Sequence, residues 1–144
     1  MDRIKYCVVF GILFLISPDT FACGAIDGKG FHCILRGIEN TDLVGYEMGL
    51  EKLLYFQDRE VHEAYFDEDK MPLKVRSQNL GPYSVSSQTI EWSGGFVLNR
   101  ETLELTKDVT EPRHFDCKLM VSAIAEIVRY FEPQIDAIRS TKLQ

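Results

Sequence analysis

The stretch SQTIEWSGGFVLNRETLELT, Ser87 to Thr106, constrains the fold more than any other part of this chain. Ser93-Gly94-Gly95 reads as a three-residue hairpin loop with a glycine in the left-handed position. That loop sets Trp92 opposite Phe96 and Ile90 opposite Leu98. A second turn, Asn99 to Thr102, sets Leu98 opposite Leu103 and Phe96 opposite Leu105. Two apolar rows result, Ile90/Leu98/Leu103 and Trp92/Phe96/Leu105. The opposite face carries Glu91, Val97, Asn99, Thr102, Glu104 and Thr106, nearly all polar. A one-residue slip would turn the whole apolar set to solvent, so the register is strongly specified. The expectation is a three-stranded antiparallel meander, with Tyr83 and Val85, alternating with Ser84 and Ser86, adding a strand before it.

Other segments extend this picture. KLLYFQDREVHEAYFD reads as two strands around a polar turn, Gln57 to Glu60. Val61, Glu63 and Tyr65 then face one way, and His62, Ala64 and Phe66 the other. Ahead of it, Leu43, Tyr46, Leu50, Leu53 and Leu54 recur at helical spacing, with Thr41 or Asp42 as a cap. A helix is expected over Asn40 to Leu54, weakened by Gly45 and Gly49 by about 1 kcal/mol each, and its end is open to strand. After Cys117, Ile124, Ile127, Val128, Phe131, Ile135 and Ile138 fall on one helical stripe. Pro133 either kinks that helix or opens a second one at its first turn. The fold class expected is α+β: an antiparallel β-meander sheet with a C-terminal amphipathic helix packed on it.

The first 22 residues read as an address. Arg3, Lys5 and the free amine give a weakly positive start. Tyr6 to Ile16 is apolar throughout, but shorter than the roughly 20 residues a spanning helix needs. Ser17 and Pro18 stop it, and Thr20 and Ala22 place small residues at −3 and −1 of a cut before Cys23. This order is that of a signal peptide, residues 1–22, followed by a single exported domain, residues 23–144. The destination expected is periplasmic or secreted.

Export changes how the four cysteines are read. Cys7 leaves with the signal, and Cys23, Cys33 and Cys117 enter a compartment where disulfides persist. Three arrangements are open. Cys23 is lipidated as the first mature residue, leaving Cys33 to pair with Cys117. Or Cys23 is a loose terminal thiol beside the same bridge. Or Cys23 pairs with Cys33 and Cys117 is free. The first resembles a bacterial lipoprotein signal, although Thr20 and Phe21 depart from the usual Leu and small residue at those positions. Cys33 in GFHCIL and Cys117 in HFDCKL both lie in aromatic, β-prone stretches near the two ends of the mature chain. Two such strands, side by side, would be stapled by Cys33–Cys117, which is the favoured bridge.

Several activities are disfavoured. The net charge of −6, from 22 acidic and 16 basic residues, repels phosphate backbones and anionic leaflets, so no nucleic acid is expected as partner. Membrane contact is expected only through the signal or a lipid on Cys23. His32, Cys33, His114 and Cys117 form a set chemically fit for zinc. On strands, however, His32 diverges from Cys33 and His114 from Cys117, so no metal is assigned. DEDK, Asp67 to Lys70, lacks the alternating ligands and central glycine of a calcium loop and reads as a solvated turn. No G-x-S-x-G elbow and no phosphate-cradling loop is present, and no cofactor is expected. A thiol enzyme would have only Cys117 with His114 to work with, and the bridge removes it.

IEW (Ile90–Trp92), FVLNRETLEL (Phe96–Leu105) and FDC (Phe115–Cys117) together resemble a pattern in small exported bacterial proteins of no established activity. The resemblance spans Ile90 to Cys117. It implies export and a cysteine-bearing terminal strand, and it transfers no catalytic residue. The function expected is a small exported cell-envelope binding or interaction module without catalysis, its partner an envelope protein or a small ligand. The alternative is a small exported hydrolase using carboxylates or a free thiol.

Overall fold

Period-two alternation becomes strand along most of the chain. The computed structural model describes residues 26–37, 49–107 and 112–142. Among them are β1 (Gly30–Leu35), β2 (Glu51–Gln57), β3 (Glu60–Phe66), β4 (Val75–Val85), β5 (Thr89–Trp92), β6 (Phe96–Asn99), β7 (Glu104–Lys107) and β8 (Arg113–Met120), followed by α1 (Ala123–Lys142). Each strand pairs antiparallel with its neighbour in sequence, and β8 returns to pair with β1 from Gly30↔Met120 to Leu35↔Phe115. The antiparallel meander and the C-terminal helix are as expected, but the sheet closes into an eight-stranded barrel. Closure removes both edge strands, which otherwise template aggregation.

Cys33 and Cys117 stand directly opposite one another in the β1–β8 ladder and form a disulfide. The bridge is therefore a staple across the seam where the barrel closes. Cys23 lies outside the described residues.

The β2–β3 connection is a two-residue turn, Asp58-Arg59, with φ of 53° and 64°. Positive φ at both centres is the geometry whose twist matches the flanking strands. The sets read from the sequence are present: Val61 is buried in the barrel interior, Ala64 on the outer wall under the helix. The β5–β6 hairpin also has the expected register, Ile90↔Leu98 and Trp92↔Phe96.

The β6–β7 register differs from the expectation by two residues. Leu98 faces Leu105 and Phe96 faces Lys107, so Leu103 no longer stands opposite Leu98, although it still packs against the barrel core. The turn is longer because Asn99 organises it. Its side-chain oxygen accepts the N–H groups of Glu101 and Thr102, both at 2.9 Å, and Leu103 adopts a φ of 57°. A two-residue shift keeps every side chain on its face, so the inside/outside pattern alone could not exclude it.

The end of the Asn40–Leu54 segment, left open between helix and strand, is strand from Glu51, where β2 begins, in line with the two-strand reading of KLLYFQDREVHEAYFD. Residues 40–48 lie outside the described residues. Leu53 and Leu54 fitted either reading because the wall is apolar on both sides at this point. Leu54 faces the barrel interior and Leu53 faces α1, so two adjacent buried leucines fit a strand covered on both faces.

Two cores result. Phe31, Cys33, Leu54, Phe56, Val61, Ile90, Trp92, Leu98, Leu105 and Phe115 fill the barrel. Leu53, Ala64, Leu73 and Met120 on the outer wall meet Ala123, Ile127, Phe131 and Ile135 of α1. Gly30 leaves room for the start of α1 against the wall: a Cβ there would run into the Leu54 carbonyl oxygen and sit 2.7 Å from the Ala123 Cβ. The helix turns on its wall from the expected stripe. Ile124 and Val128 are 56% and 48% exposed, because the buried line follows i, i+4 steps from Ala123. Pro133 lies inside this one helix, on its exposed side, and opens no second one.

Candidate functional site: a polar basin at the barrel mouth

In an up-and-down barrel, alternate connections gather at the same end. The β1–β2, β3–β4, β5–β6 and β7–β8 connections share one end, called the mouth below. Below it the interior is packed with apolar side chains. At the mouth the inward positions change character. Period-two alternation carries the inward set of β2 from Phe56 and Leu54 to Lys52, that of β3 from Val61 to Glu63 and Tyr65, and that of β4 to Gln78 and Arg76. On β7 and β8 the same rule places Lys107 and Arg113 inward of Leu105 and Phe115.

Lys52, Glu63, Tyr65 and Gln78 of this set, with Gly49, Asp67 and Lys70, line a cavity of about 500 Å³; Phe96 and Lys107 stand beside Lys52 at the same end. That volume is within the range of small-ligand sites. Lys52 and Glu63 form an ion pair at its wall, with Nζ 3.2 and 3.4 Å from the two carboxylate oxygens. Their side chains are only 12% and 15% exposed. The Lys52 ammonium also lies over two rings, 5.5 Å from the Phe96 centroid and 5.8 Å from that of Phe115. Lys107 places its own ammonium 5.0 Å from the Phe96 ring. Trp92 stacks on Phe96 at 5.3 Å, 9° from parallel, and fixes that ring from within the barrel core.

DEDK is a turn, as its sequence suggests, and it also forms part of the rim. Asp67 accepts the Asp69 N–H at 3.1 Å and pairs with Lys70 at 3.2 Å. The Lys70 contact holds the Asp67 carboxyl below the ordinary carboxylate range. Two buried donors, Arg76 Nε–H and Trp92 Nε1–H, have no hydrogen-bond partner among the described residues.

The residues of the zinc alternative do not converge. Both sulfurs face inward and are joined, while His32 and His114 lie on the outer face, each against a carboxylate. His114 Nδ1 meets Glu104 at 2.6 Å, and Arg36 bridges Glu104 and Asp116 at 3.1 and 2.7 Å. His114 and Arg36 together depress the Glu104 carboxyl, and Arg36 depresses that of Asp116. This cluster ties the outer ends of β1, β7 and β8. The bridge also removes Cys117 as a nucleophile.

The other carboxylate of note is Glu51, buried between β1, β2 and α1. It accepts from His32 Nε2 and, at 2.7 Å, from the Tyr130 hydroxyl, whose ring packs edge-on against His32. Burial opposes its charge, but the hydrogen bonds from His32 and Tyr130 prevail and hold its carboxyl below the ordinary range. Burial and that carboxylate push the Tyr130 phenol upward. The arrangement latches α1 to the barrel wall.

The sign of the pH effect follows. A carboxyl depressed in the folded state adds stability above its unfolded value of about 4.3, and that stability is lost as pH falls through the folded value. Glu51→Gln is therefore expected to lower unfolding free energy at pH 7 by about 1–3 kcal/mol. The gap to wild type should narrow on acidification below the ordinary range. Urea titrations at neutral and acid pH measure it, and an unchanging gap would show that the charge of Glu51 is not what holds the latch.

Sequence reasoning had Glu63 and Tyr65 facing together but missed Lys52, Lys70 and Gln78 as their neighbours in the basin. The available signal was the parity of Lys52 with Leu54 and Phe56 in the strand KLLYFQ, which places it on the inward face of β2. No family model matches the chain, and no curated protein and no solved structure matches it.

Proposed function

We propose that this chain is a small exported binding module of the cell envelope, without catalytic activity, that takes a small ligand in the basin at its barrel mouth. One observation carries the reading: above an apolar barrel core, polar and charged groups from β2, β3, β4 and the β3–β4 turn converge at one end on a cavity of about 500 Å³. A domain needing only to fold has no use for an ion pair packed against two aromatic rings at that place, since apolar residues of similar volume are often as stabilising. Export is favoured by the leader at residues 1–22 and by the Cys33–Cys117 bridge, a bond that oxidising compartments sustain.

The hydrolase alternative keeps one point of support, because Glu63 and Asp67 line the same basin. Each is paired with an ammonium group, and the Lys70 contact holds the Asp67 carboxyl below the ordinary range, which disfavours Asp67 as a proton donor.

The test is an amide NMR screen of the mature chain against a library of envelope metabolites of mixed charge. Hits are expected to shift Gly49, Lys52, Tyr65 and Gln78 together and to be recovered unaltered. A screen whose hits all fall elsewhere on the surface would defeat the basin as the site, and ligand turnover would return the hydrolase. Intact mass from the native host is expected to start at Cys23; a retained leader would refute export with cleavage.

A further inference from the structure

We infer that the ligand of the mouth is a small organic anion, its carboxylate or phosphate seated between Lys52 and Lys107 beside Phe96; this rests on the binding reading above. The chain carries a net charge of −6, yet the inward positions nearest the mouth reverse that balance. Lys52, Arg76, Lys107 and Arg113 occupy them, with Lys70 on the rim, against two acids, Glu63 and Asp67. This excess of cations at one end of an acidic domain, with Lys52, Arg76 and Lys107 half-buried and Arg113 exposed, focuses positive potential at the opening, the arrangement that draws in and holds anions.

The two lysines sharpen the assignment. Both ammonium groups approach the Phe96 ring, at 5.5 and 5.0 Å from its centroid, with Trp92 stacked on it. Two like charges on one ring repel each other, and an anion between them would turn that repulsion into attraction. Glu63 contacts Lys52 through two long bonds of 3.2 and 3.4 Å, and an ammonium has three N–H donors, so Lys52 retains capacity for a further acceptor. Lys107 makes no ion pair among the described residues. The buried Arg76 Nε–H, without a partner among the described residues, is a further donor on an inward position of β4.

The experiment compares four probes that share a ring and differ in charge: benzoate, phenyl phosphate, benzylamine and benzyl alcohol. Each is titrated into the mature chain while the amide resonances of Lys52, Tyr65 and Gln78 are followed. The anions are expected to shift these resonances and to bind more weakly as salt is raised. Lys107→Gln, at the rim, should fold normally and weaken anion binding by about tenfold, the worth of one charge-assisted contact. Lys52→Gln should act in the same direction, with circular dichroism showing whether it still folds. The stronger of benzoate and phenyl phosphate names the anionic group. Basin shifts from benzylamine or benzyl alcohol, with the anions silent, would overturn the anion and leave the binding reading standing. So would anion binding that Lys107→Gln leaves unchanged. Failure of the mixed-charge library to reach the basin at all would instead remove the binding reading itself.

Discussion

Replacing Cys33 and Cys117 together by alanine is expected to lower the unfolding free energy by about 4–5 kcal/mol, among the largest effects any change at two residues can have in a domain this small. The bridge links residues 84 apart in sequence, and closing a loop of that length removes much of the unfolded chain's freedom. It does so at the one strand pair that the meander does not bring together locally. The seven other pairings join strands consecutive in sequence, whereas β1 and β8 must find each other from the two ends of the sheet. For a domain of this size the loss corresponds to a fall of roughly 15 °C in Tm. Thermal unfolding followed by circular dichroism, with and without reductant and on the double variant, measures it. A fall of a degree or two, with both thiols shown to be free, would mean that β1–β8 closure holds without the staple.

The second large effect is expected on the other core. Phe131 is completely buried between α1 and the barrel wall, against Phe66 and Tyr130. Phe131→Ala is expected to cost about 3–5 kcal/mol, because the rigid wall cannot collapse into the space left behind. The barrel interior is a separate cluster, so the near-ultraviolet signal of Trp92 should be preserved in the native state. Val128→Ala, half-exposed on the same helix, should change stability by no more than about 0.5 kcal/mol. Equal losses at both positions would place the helix on its wall in the rotation first read from the sequence. Urea unfolding of the three proteins decides the matter.

Much of this architecture is legible in the residues. The β5–β6 hairpin follows from two glycines between two apolar-alternating runs, and the β2–β3 hairpin from a polar turn between two more. The favoured bridge follows from two aromatic cysteine stretches, GFHCIL and HFDCKL, that become the first and last strands of the barrel. What was left open or missed has particular causes. At Leu53 and Leu54, burial on both faces erased the period that distinguishes strand from helix. At Asn99, a side chain accepting two backbone N–H groups lengthened a turn by more than residue type reveals. On α1 the stripe was found, but its exact centre depends on which line of side chains meets the wall.

The basin was the least legible part. Its residues are spread from Gly49 to Gln78, with Phe96 and Lys107 beyond, and no short motif joins them. The sequence by itself determined which side chains share a face, because that depends on a period of two within one strand. It determined that a helix must follow the last strand, and that two cysteines stood where two strands could be stapled. Only the tertiary structure decided that the sheet closes, which strand ends meet at the mouth, and that Lys107 rather than Leu105 faces Phe96. Those outcomes depend on register and tilt between strands far apart in the chain, and the energy that fixes them is shared among many contacts rather than written in any one segment.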